Sequence, residues 1–248
     1  MTFECRVVRY EFAVRESVYF PLGKAGNMLR GAFGMLPDVE SIFRPAAAGP
    51  SGLKDPPRPF VFRAAHLEGH RFQPGDAFRF DVHLFDERIP AEIFGGIWSH
   101  RASLLGIKTD RAEVNFEPRA ARAATVKFLT PTELKPAGSP EFSVLFARCR
   151  DRVSTLRALY GPGPLSIDFL KLGEAAANIR MALCELRNQD FERHSSRTGQ
   201  THALGGFTGQ VRYEGMLDEF VPFLRAAELT GVGRHTVWGK GAIAVAIS

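Results

Sequence analysis

The order of alternating and helical segments is what most constrains the fold of this chain. Residues 3–15 alternate apolar and polar side chains, as a half-buried strand does, and residues 76–85 and 111–117 repeat the pattern. Residues 21–34 are typical of a loop entering a glycine-weakened helix, and residues 89–105 carry apolar side chains at helical spacing. The first half therefore predicts strand, helix, strand, strand, helix, strand, which is the order of a split βαβ, or ferredoxin-like, domain.

The second half repeats this order. Strands are predicted over residues 125–134, 207–213 and 243–247, where apolar and polar residues alternate. Residues 141–160 predict a long helix that ends at a Gly-Pro-Gly-Pro segment, and residues 217–229 predict a shorter one. The arrangement again corresponds to βαββαβ, provided that one more strand lies between the long helix and residue 207.

An additional helix is predicted inside the second half. Its apolar residues step by four and three, at Leu172, Ala176, Ile179, Leu183 and Leu186. Residues 189–197 are a candidate for the missing strand. We therefore expect an α+β fold of two tandem ferredoxin-like (RRM-like, βαββαβ) domains, residues 1–120 and 121–248, with a glycine-rich loop near the C-terminus.

The glycine-rich loop carries the strongest local signal for a ligand. Four glycines and three basic or titratable side chains fall within eleven residues: Gly231, Gly233, Arg234, His235, Gly239, Lys240 and Gly241. Glycine lets a backbone approach a ligand closely, free N–H groups can form an anion-binding nest, and cations suit phosphate. The loop thus predicts contact with a polyanion. The alternative is a turn that only ends the preceding helix and starts the last strand.

Two other phosphate motifs are excluded by spacing. A Walker loop has four residues between its first glycine and Gly-Lys-Ser/Thr, whereas five residues separate Gly233 from Gly239 here and Gly241 follows the lysine. A Rossmann fingerprint needs a third glycine at position 236, which is Thr236, and a preceding strand where the pattern predicts a helix.

Composition favours an anionic partner. The chain carries 32 Lys and Arg against 27 Asp and Glu, a formal net charge of +5, and 45% of its residues are apolar. Because no basic tail is present, a nucleic-acid surface must be assembled by the fold.

The three cysteines form no C-x-x-C pair, and we expect Cys149 and Cys184 to be buried in helices. We therefore expect the protein to bind no metal and no cofactor. No apolar signal core or bilayer-spanning stretch is present, which predicts a cytoplasmic protein without a membrane partner.

Several segments together resemble one known family. The first-helix region ends in Leu29-Arg-Gly-Ala-Phe33, Val126 to Lys135 opens the second half, and Leu204 to Gly215 precedes the glycine-rich loop at Gly231 to Gly241. Between the first two of these lie Arg58-Pro-Phe-Val61, Pro74-Gly-Asp-Ala-Phe78 and Leu84-Phe85, which resemble a central hairpin. In this order the segments resemble the CRISPR-associated RAMP superfamily, and within it the endoribonucleases that process CRISPR precursor RNA.

This resemblance implies a function in CRISPR antiviral defence. A member of the family binds CRISPR repeat RNA and cuts the precursor once per repeat, releasing crRNA without a metal ion. The ribose 2′-OH attacks its own phosphodiester and leaves a 2′,3′-cyclic phosphate. The implied partners are repeat RNA or crRNA and other CRISPR effector subunits, with the protein a monomer or homodimer.

The candidate catalytic residues depart from the family pattern. Many members carry a catalytic histidine in or just after the first helix, whereas the first histidine of this chain is His66. His202 and His194 become the leading candidates because they flank a polar segment that leads into the C-terminal signature. Lys24 and Tyr19 are the candidates near the first helix, as a phosphate contact and a hydroxyl that orients the substrate.

The candidate RNA-binding residues are mostly basic or in the glycine-rich loop. They are Arg30, Arg197, Arg212, Gly231, Gly233, Arg234, His235, Gly239, Lys240 and Gly241. We expect Arg234 and Lys240 to contact phosphates, so that replacing both lowers affinity and flattens its salt dependence. His83, opposite the apolar face of its strand, is expected to be solvated, and His100 is expected to end a helix.

Three other classes of function remain as alternatives. A non-catalytic RAMP-type protein that holds crRNA in an effector complex would share the fold and the loop. A general RNA-binding module of the RRM type is disfavoured because Gly205 to Tyr213 does not match its aromatic strand motif. A metal-dependent nuclease is disfavoured because no carboxylate cluster or His-x-x-x-His pair has suitable spacing.

Overall fold

The structure is a computed structural model that describes residues 1–45, 55–135, 140–189 and 205–248, and the backbone of residues 192–194 and 201–203. Its strands are β1 (Thr2–Val14), β2 (Val18–Tyr19), β3 (Phe60–Arg63), β4 (Arg71–Phe72), β5 (Ala77–Leu84), β6 (Ala102–Asn115), β7 (Ala123–Thr132), β8 (Arg180–Gln189), β9 (Glu192–His194), β10 (Thr201–Ala203), β11 (Gly206–Glu214) and β12 (Ile243–Ile247). Its α-helices are α1 (Ala25–Phe33), α2 (Glu40–Phe43), α3 (Phe142–Tyr160), α4 (Phe169–Ala176) and α5 (Val221–Thr230).

The first half forms an antiparallel sheet in the order β3-β5-β1-β6. Alternation along β5 buries every second residue, and those side chains join α1 in an aromatic core. Phe33 of α1 stacks on Phe94 with ring centroids 4.2 Å apart, and Tyr10 of β1 stacks on Phe80. Burial of these rings fixes α1 against one face of the sheet.

The second half forms an antiparallel sheet in the order β12-β7-β11-β8. Phe142 and Phe146 of α3 pack against Phe220, and Tyr213 of β11 donates its hydroxyl proton to Pro140 O at 2.6 Å. In both sheets the first and third strands of a βαββαβ unit are central, with the fourth and second at the edges. The α+β fold of two tandem ferredoxin-like domains is therefore confirmed, while the boundary at residue 120 stays a prediction.

Two of the predicted helices are wrong. Residues 89–105 form only a 3₁₀ turn at Ala91–Gly96, followed by the start of β6 at Ala102. The helix predicted through Leu186 ends at Ala176, and β8 follows from Arg180. In each case the ladder to a central strand, β1 or β11, replaces a local helical preference. Consequently Cys184 is exposed on β8, whereas Cys149 is buried in α3 as expected.

The C-terminal end of α5 joins the two halves. Arg63 of β3 donates to Glu228 O and Leu229 O at 3.0 Å each, and Arg152 of α3 donates to Thr230 O at 3.0 Å. Burial lowers the pKa of Arg63 to about 10 and that of Arg152 to about 9, so both guanidinium groups remain charged at neutral pH. Cations at these last carbonyls satisfy acceptors that the helix leaves open and complement its dipole.

His83 of β5 contacts the same helix end and was wrongly expected to be solvated. Its Nδ1 lies 2.8 Å from Leu229 O. Since a carbonyl oxygen can only accept, Nδ1 carries the proton of a neutral ring. Burial and then the nearby Arg63 lower the pKa of His83 to about 4, against the hydrogen bond to Leu229 and the attraction of Asp81.

We expect the free energy of unfolding to fall as the pH drops from 6.5 to about 4 because of His83. Over this range the unfolded chain binds a proton at position 83 that the folded chain does not, so protonation favours unfolding. The contribution is at most about 3 kcal/mol, from 1.36 kcal/mol per pKa unit. Urea titrations at pH 7 and pH 4.5 should show a smaller pH dependence for His83→Gln than for the unaltered protein. An equal dependence in both would contradict a neutral, buried His83.

Candidate functional site

The glycine-rich loop closes over the end of β7. Helix α5 ends at Thr230, and the N–H of Val232 donates to Gly241 O at 2.9 Å, which joins the two ends of the loop. The N–H of Arg234 donates to Glu133 O at 3.0 Å, just after β7. Thr236–Trp238 form a 3₁₀ turn at the tip.

The glycines of the loop serve close backbone packing. Gly241 has φ +67°, and a Cβ there would lie 1.9 Å from Val232 O; a Cβ on Gly233 would lie 2.3 Å from Glu133 O. The N–H groups of Gly231, Gly239 and Gly241 donate to Ala227 O, Thr236 O and Pro131 O respectively. The expected anion-binding nest is thus wrong for these three glycines, because their donors are already used within the protein.

The assignment of Lys240 to a phosphate contact must also be corrected. Its residue is only 3% exposed, and Nζ donates to Gly23 O at 3.0 Å, just before α1. Burial lowers the pKa of Lys240, with a smaller opposing effect of Glu68. Lys240 therefore holds the loop of the second half against the first half and does not reach a ligand in solvent.

A cationic cleft of about 640 Å³ lies between the glycine-rich loop, α1 and α3. Three carboxylates and six basic residues line it. The basic residues are Arg30, Arg58, Lys135, Arg148, Arg152 and Arg234. Both halves of the chain contribute, so the fold concentrates positive charge that the sequence distributes over 205 positions. We name this surface the inter-sheet cleft.

Two side chains of the loop tip face the inter-sheet cleft in a constrained arrangement. His235 has a left-handed backbone, with φ +60°, and its ring stacks on Trp238 with centroids 4.4 Å apart and planes 3° from parallel. Nε2 of His235 lies 4.0 Å from a carboxylate oxygen of Glu133. Left-handed backbone is uncommon for a residue with a Cβ and concentrates at functional sites.

The cations of the inter-sheet cleft differ in how free they are to meet a ligand. Arg234 forms an ion pair with Glu133 at 2.7 Å, so a phosphate must compete with this carboxylate. Arg30 places its guanidinium 4.3 Å from the Phe43 ring centroid and 5.3 Å from that of Trp238. By contrast, the side chain of Arg148 is 42% exposed and its ion pair with Asp151 is a long 3.8 Å, and Lys135 is exposed.

No feature of the sequence marks Arg148 or Lys135 as an RNA contact. Arg148 lies within the long helix α3, where it has the appearance of an ordinary solvent-facing cation. Lys135 follows β7 by three residues. Arg148 belongs to no local motif, Lys135 is the last residue of a segment singled out for its family resemblance and not for RNA contact, and the docking of α3 beside the loop brings the two together.

The remaining predicted residues lie elsewhere. Tyr19 lies on β2, on the other flank of α1, and Lys24 is the residue that precedes α1. Arg212 forms an ion pair with Glu214 at 3.1 Å on β11 and does not line the inter-sheet cleft. His194 pairs with Thr201 and His202 with Arg193 in the backbone of a β9–β10 hairpin. Their side chains, and Arg197 entirely, fall outside the described residues.

Two kinds of site are absent from the described part of the chain. No group of three or more His, Cys, Asp or Glu side chains there is arranged to hold a metal ion. None of the helices described is long and apolar enough to cross a membrane.

Comparison with known proteins gives both a sequence match and structural matches. Residues 126–243 match the family model of the CRISPR-associated endoribonuclease Cas6, while no curated protein matches the chain in sequence. A Thermus thermophilus Cas6 in a product complex is 16% identical with a TM-score of 0.63, over 98% of this chain and 100% of that one. A second Cas6 product complex is 16% identical with a TM-score of 0.60, over 97% and 99%.

A further solved structure shares the fold at lower identity. A RAMP protein binding different RNA substrates is 10% identical with a TM-score of 0.50, over 97% of this chain and 99% of that one. At identities this low, the structural matches show a shared fold. The family model adds sequence evidence across β7, α3, β11, α5 and the glycine-rich loop. The chain thus matches the CRISPR-associated endoribonuclease Cas6 family model over residues 126–243, and it shares the Cas6 fold over nearly its whole length.

Proposed function

We propose that this protein binds the repeat segment of CRISPR precursor RNA and cuts it once per repeat, without a metal ion. The observation that carries the proposal is the inter-sheet cleft, where six basic residues from both halves lie in or beside the glycine-rich loop, and this loop falls within the segment that matches the Cas6 family model. RNA presents one negative charge per nucleotide, so a groove with a surplus of cations gains affinity by releasing counterions. The partner is CRISPR repeat RNA or the crRNA made from it.

The tip of the glycine-rich loop suits an unpaired nucleotide. The stacked rings of His235 and Trp238 form an aromatic surface beside Arg30. Bases of single-stranded RNA stack on aromatic rings and on guanidinium planes. We infer that the inter-sheet cleft holds the phosphates while this surface receives a base.

The proposed reaction is an internal transesterification. The 2′-OH attacks the adjacent phosphorus in line with the 5′-oxygen, and the products carry a 2′,3′-cyclic phosphate and a 5′-OH. Such a site needs alignment, a proton acceptor and cations near the phosphorane oxygens. His202, His194, Tyr19 and Lys24 remain predicted catalytic residues, and Arg197 and Arg212 remain predicted RNA contacts.

The test is cleavage of end-labelled repeat RNA from the CRISPR array of the host, in EDTA. We expect one cut per repeat and a 3′ end that polynucleotide kinase trims but that resists direct ligation, as a cyclic phosphate does. A second RNA of the same sequence, in which hydrogen replaces the reactive 2′-OH, should bind the protein and remain uncut. Cleavage that requires added metal, or that persists in the deoxy substrate, would contradict the proposed reaction.

The second candidate function is a non-catalytic protein that holds crRNA in an effector complex. Helix α1 contains no histidine, and this observation favours the alternative. In the same assay, tight binding of repeat RNA without any cut would support it. Size-exclusion chromatography with and without RNA would then distinguish a monomer or homodimer from a subunit that needs CRISPR partners.

A further inference from the structure

A second concave surface lies on the other flank of α1. It has a volume of about 620 Å³, and α1 contributes Asn27 and Gly31 to it, whereas Arg30 of the same helix lines the inter-sheet cleft. The loop before β6 contributes Ser99, His100 and Arg101, and β2 contributes Tyr19. We name this surface the α1 pocket.

The backbone of the α1 pocket is strained beside His100. Trp98 has φ +57°, although it carries a bulky side chain. Its ring is held 5.3 Å from Phe20 and 6.0 Å from Phe78, so packing against the core maintains the unusual conformation. The N–H groups of Arg101 and Ala102 both donate to Trp98 O, at 2.7 and 2.9 Å, which turns His100 outward. Strain of this kind concentrates at functional sites.

The α1 pocket also contains unused polar groups. The side-chain oxygen of Asn27 is buried and has no hydrogen-bond partner among the described residues. A buried acceptor without a partner costs free energy, which a ligand hydroxyl would recover. The imidazole of His100 is exposed, and no hydrogen bond or ion pair to another described side chain holds it. Tyr19 is 43% exposed and lies 5.0 Å under the guanidinium of Arg71.

We propose that His100 is the catalytic base of the RNA cut and that the α1 pocket is where the reacting ribose and phosphate lie. This inference rests on the proposed function and deepens it. Asn27 accepts a hydrogen bond from the reacting nucleotide, and Arg101 stands near the phosphorane. Histidine is the side chain whose ordinary pKa lies nearest neutral pH, which suits proton transfer in both directions.

The step conserves atoms and charge. The neutral imidazole of His100 takes the proton of the 2′-OH as O2′ forms its bond to phosphorus. The bond from phosphorus to O5′ breaks, and the 5′-oxygen takes a proton from water. The imidazolium then returns its proton to the resulting hydroxide, and the RNA leaves as a 2′,3′-cyclic phosphate and a 5′-OH.

The surface of α1 allows one RNA strand to reach both sites. Gly31 is exposed, and a Cβ placed on it would have no atom within 4 Å. The phosphate backbone can therefore cross the helix at Gly31, with one end in the inter-sheet cleft and the reacting nucleotide in the α1 pocket. Within the described parts of the chain, the ion pair of Arg101 is a long one, 3.8 Å to Glu16, which leaves its guanidinium able to contact the phosphate.

The experiment is single-turnover cleavage of repeat RNA by His100→Ala, with His66→Ala as the matched control. His66 is also an exposed histidine of the first half, but its Nε2 contacts Arg79 O and it does not line the α1 pocket. We expect His100→Ala to lose about 10²-fold or more in cleavage rate with unchanged RNA affinity, since general base catalysis contributes about that much. His66→Ala should cleave like the unaltered protein.

Two further readouts separate proton transfer from a structural role. The cleavage rate of the unaltered protein should rise as an imidazole loses its proton, and this limb should disappear in His100→Ala. Added imidazole should partly restore cleavage by His100→Ala and leave His66→Ala unaffected. Unaltered cleavage by His100→Ala overturns the proposal, as does a slow variant that imidazole does not restore. If the unaltered protein itself binds repeat RNA without cutting, the proposed function fails instead.

Discussion

Replacing Lys135 and Arg148 together by glutamine is expected to weaken binding of repeat RNA about 10- to 100-fold at physiological salt. Both side chains line the inter-sheet cleft, and among the described residues neither forms a close ion pair. Each phosphate contact on a single strand contributes roughly 0.7 to the slope of log affinity against log salt, so the slope should fall by about 1.4. Fluorescence anisotropy titrations at roughly 50 to 300 mM KCl, a range that includes physiological ionic strength, measure both the affinity and the slope.

Two comparisons test whether this effect belongs to the inter-sheet cleft. Arg79→Gln with Lys171→Gln removes the same charge from exposed positions that do not line it, and should change affinity and slope far less. Glu133→Gln should act in the opposite direction, because it removes the carboxylate that now pairs with Arg234. Equal losses for both double variants would show that only net charge matters, and the inter-sheet cleft would not be the binding surface.

Gly26→Ala is expected to destabilise the protein by about 1–3 kcal/mol, the usual cost of overpacking. A Cβ at this position would lie 2.5 Å from Trp238 O and 3.0 Å from the Cα of Gly239. The backbone of the glycine-rich loop would have to move away from α1. Because that contact also positions His235 and Trp238, RNA affinity should fall together with stability.

Gly31→Ala provides the matched control on the same helix. Its Cβ meets no atom within 4 Å, and alanine is favoured over glycine inside a helix by roughly 0.5–1 kcal/mol. The two substitutions therefore should have opposite signs in urea unfolding. A neutral Gly26→Ala would mean that the loop and α1 are less tightly docked than their geometry indicates.

Most of the fold could be predicted from the alternation of apolar and polar residues along the strands. Alternation of apolar and polar residues predicted three of the observed strands, which are β1, β7 and β11. The prediction for β8 was wrong because the apolar residues of this strand also satisfy a helical spacing. Pairing with β11 decides between helix and strand. The local sequence of β8 holds no information about its pairing with β11, which lies later in the chain.

The site was predictable in location more than in role. The glycine-rich loop does border the inter-sheet cleft, yet Lys240 and three of its glycines serve to hold the loop in place. Arg148 and His100 gave no signal because each depends on which elements pack beside it. A histidine that follows a strained tryptophan is visible only when the backbone angle at Trp98 is known.

The contacts at the end of α5 have a consequence for substrate selection. Three consecutive carbonyl groups of this helix accept hydrogen bonds from both halves of the chain. The donors are Arg63 and His83 of the first half and Arg152 of the second. Moving the two sheets apart would break at least one of these hydrogen bonds, so the contacts oppose a change in the spacing between the sheets. If the inter-sheet cleft binds RNA as proposed, segments whose phosphates match that spacing would enter without deforming the protein, and mismatched segments would have to distort. Selection by shape would then precede any reading of bases.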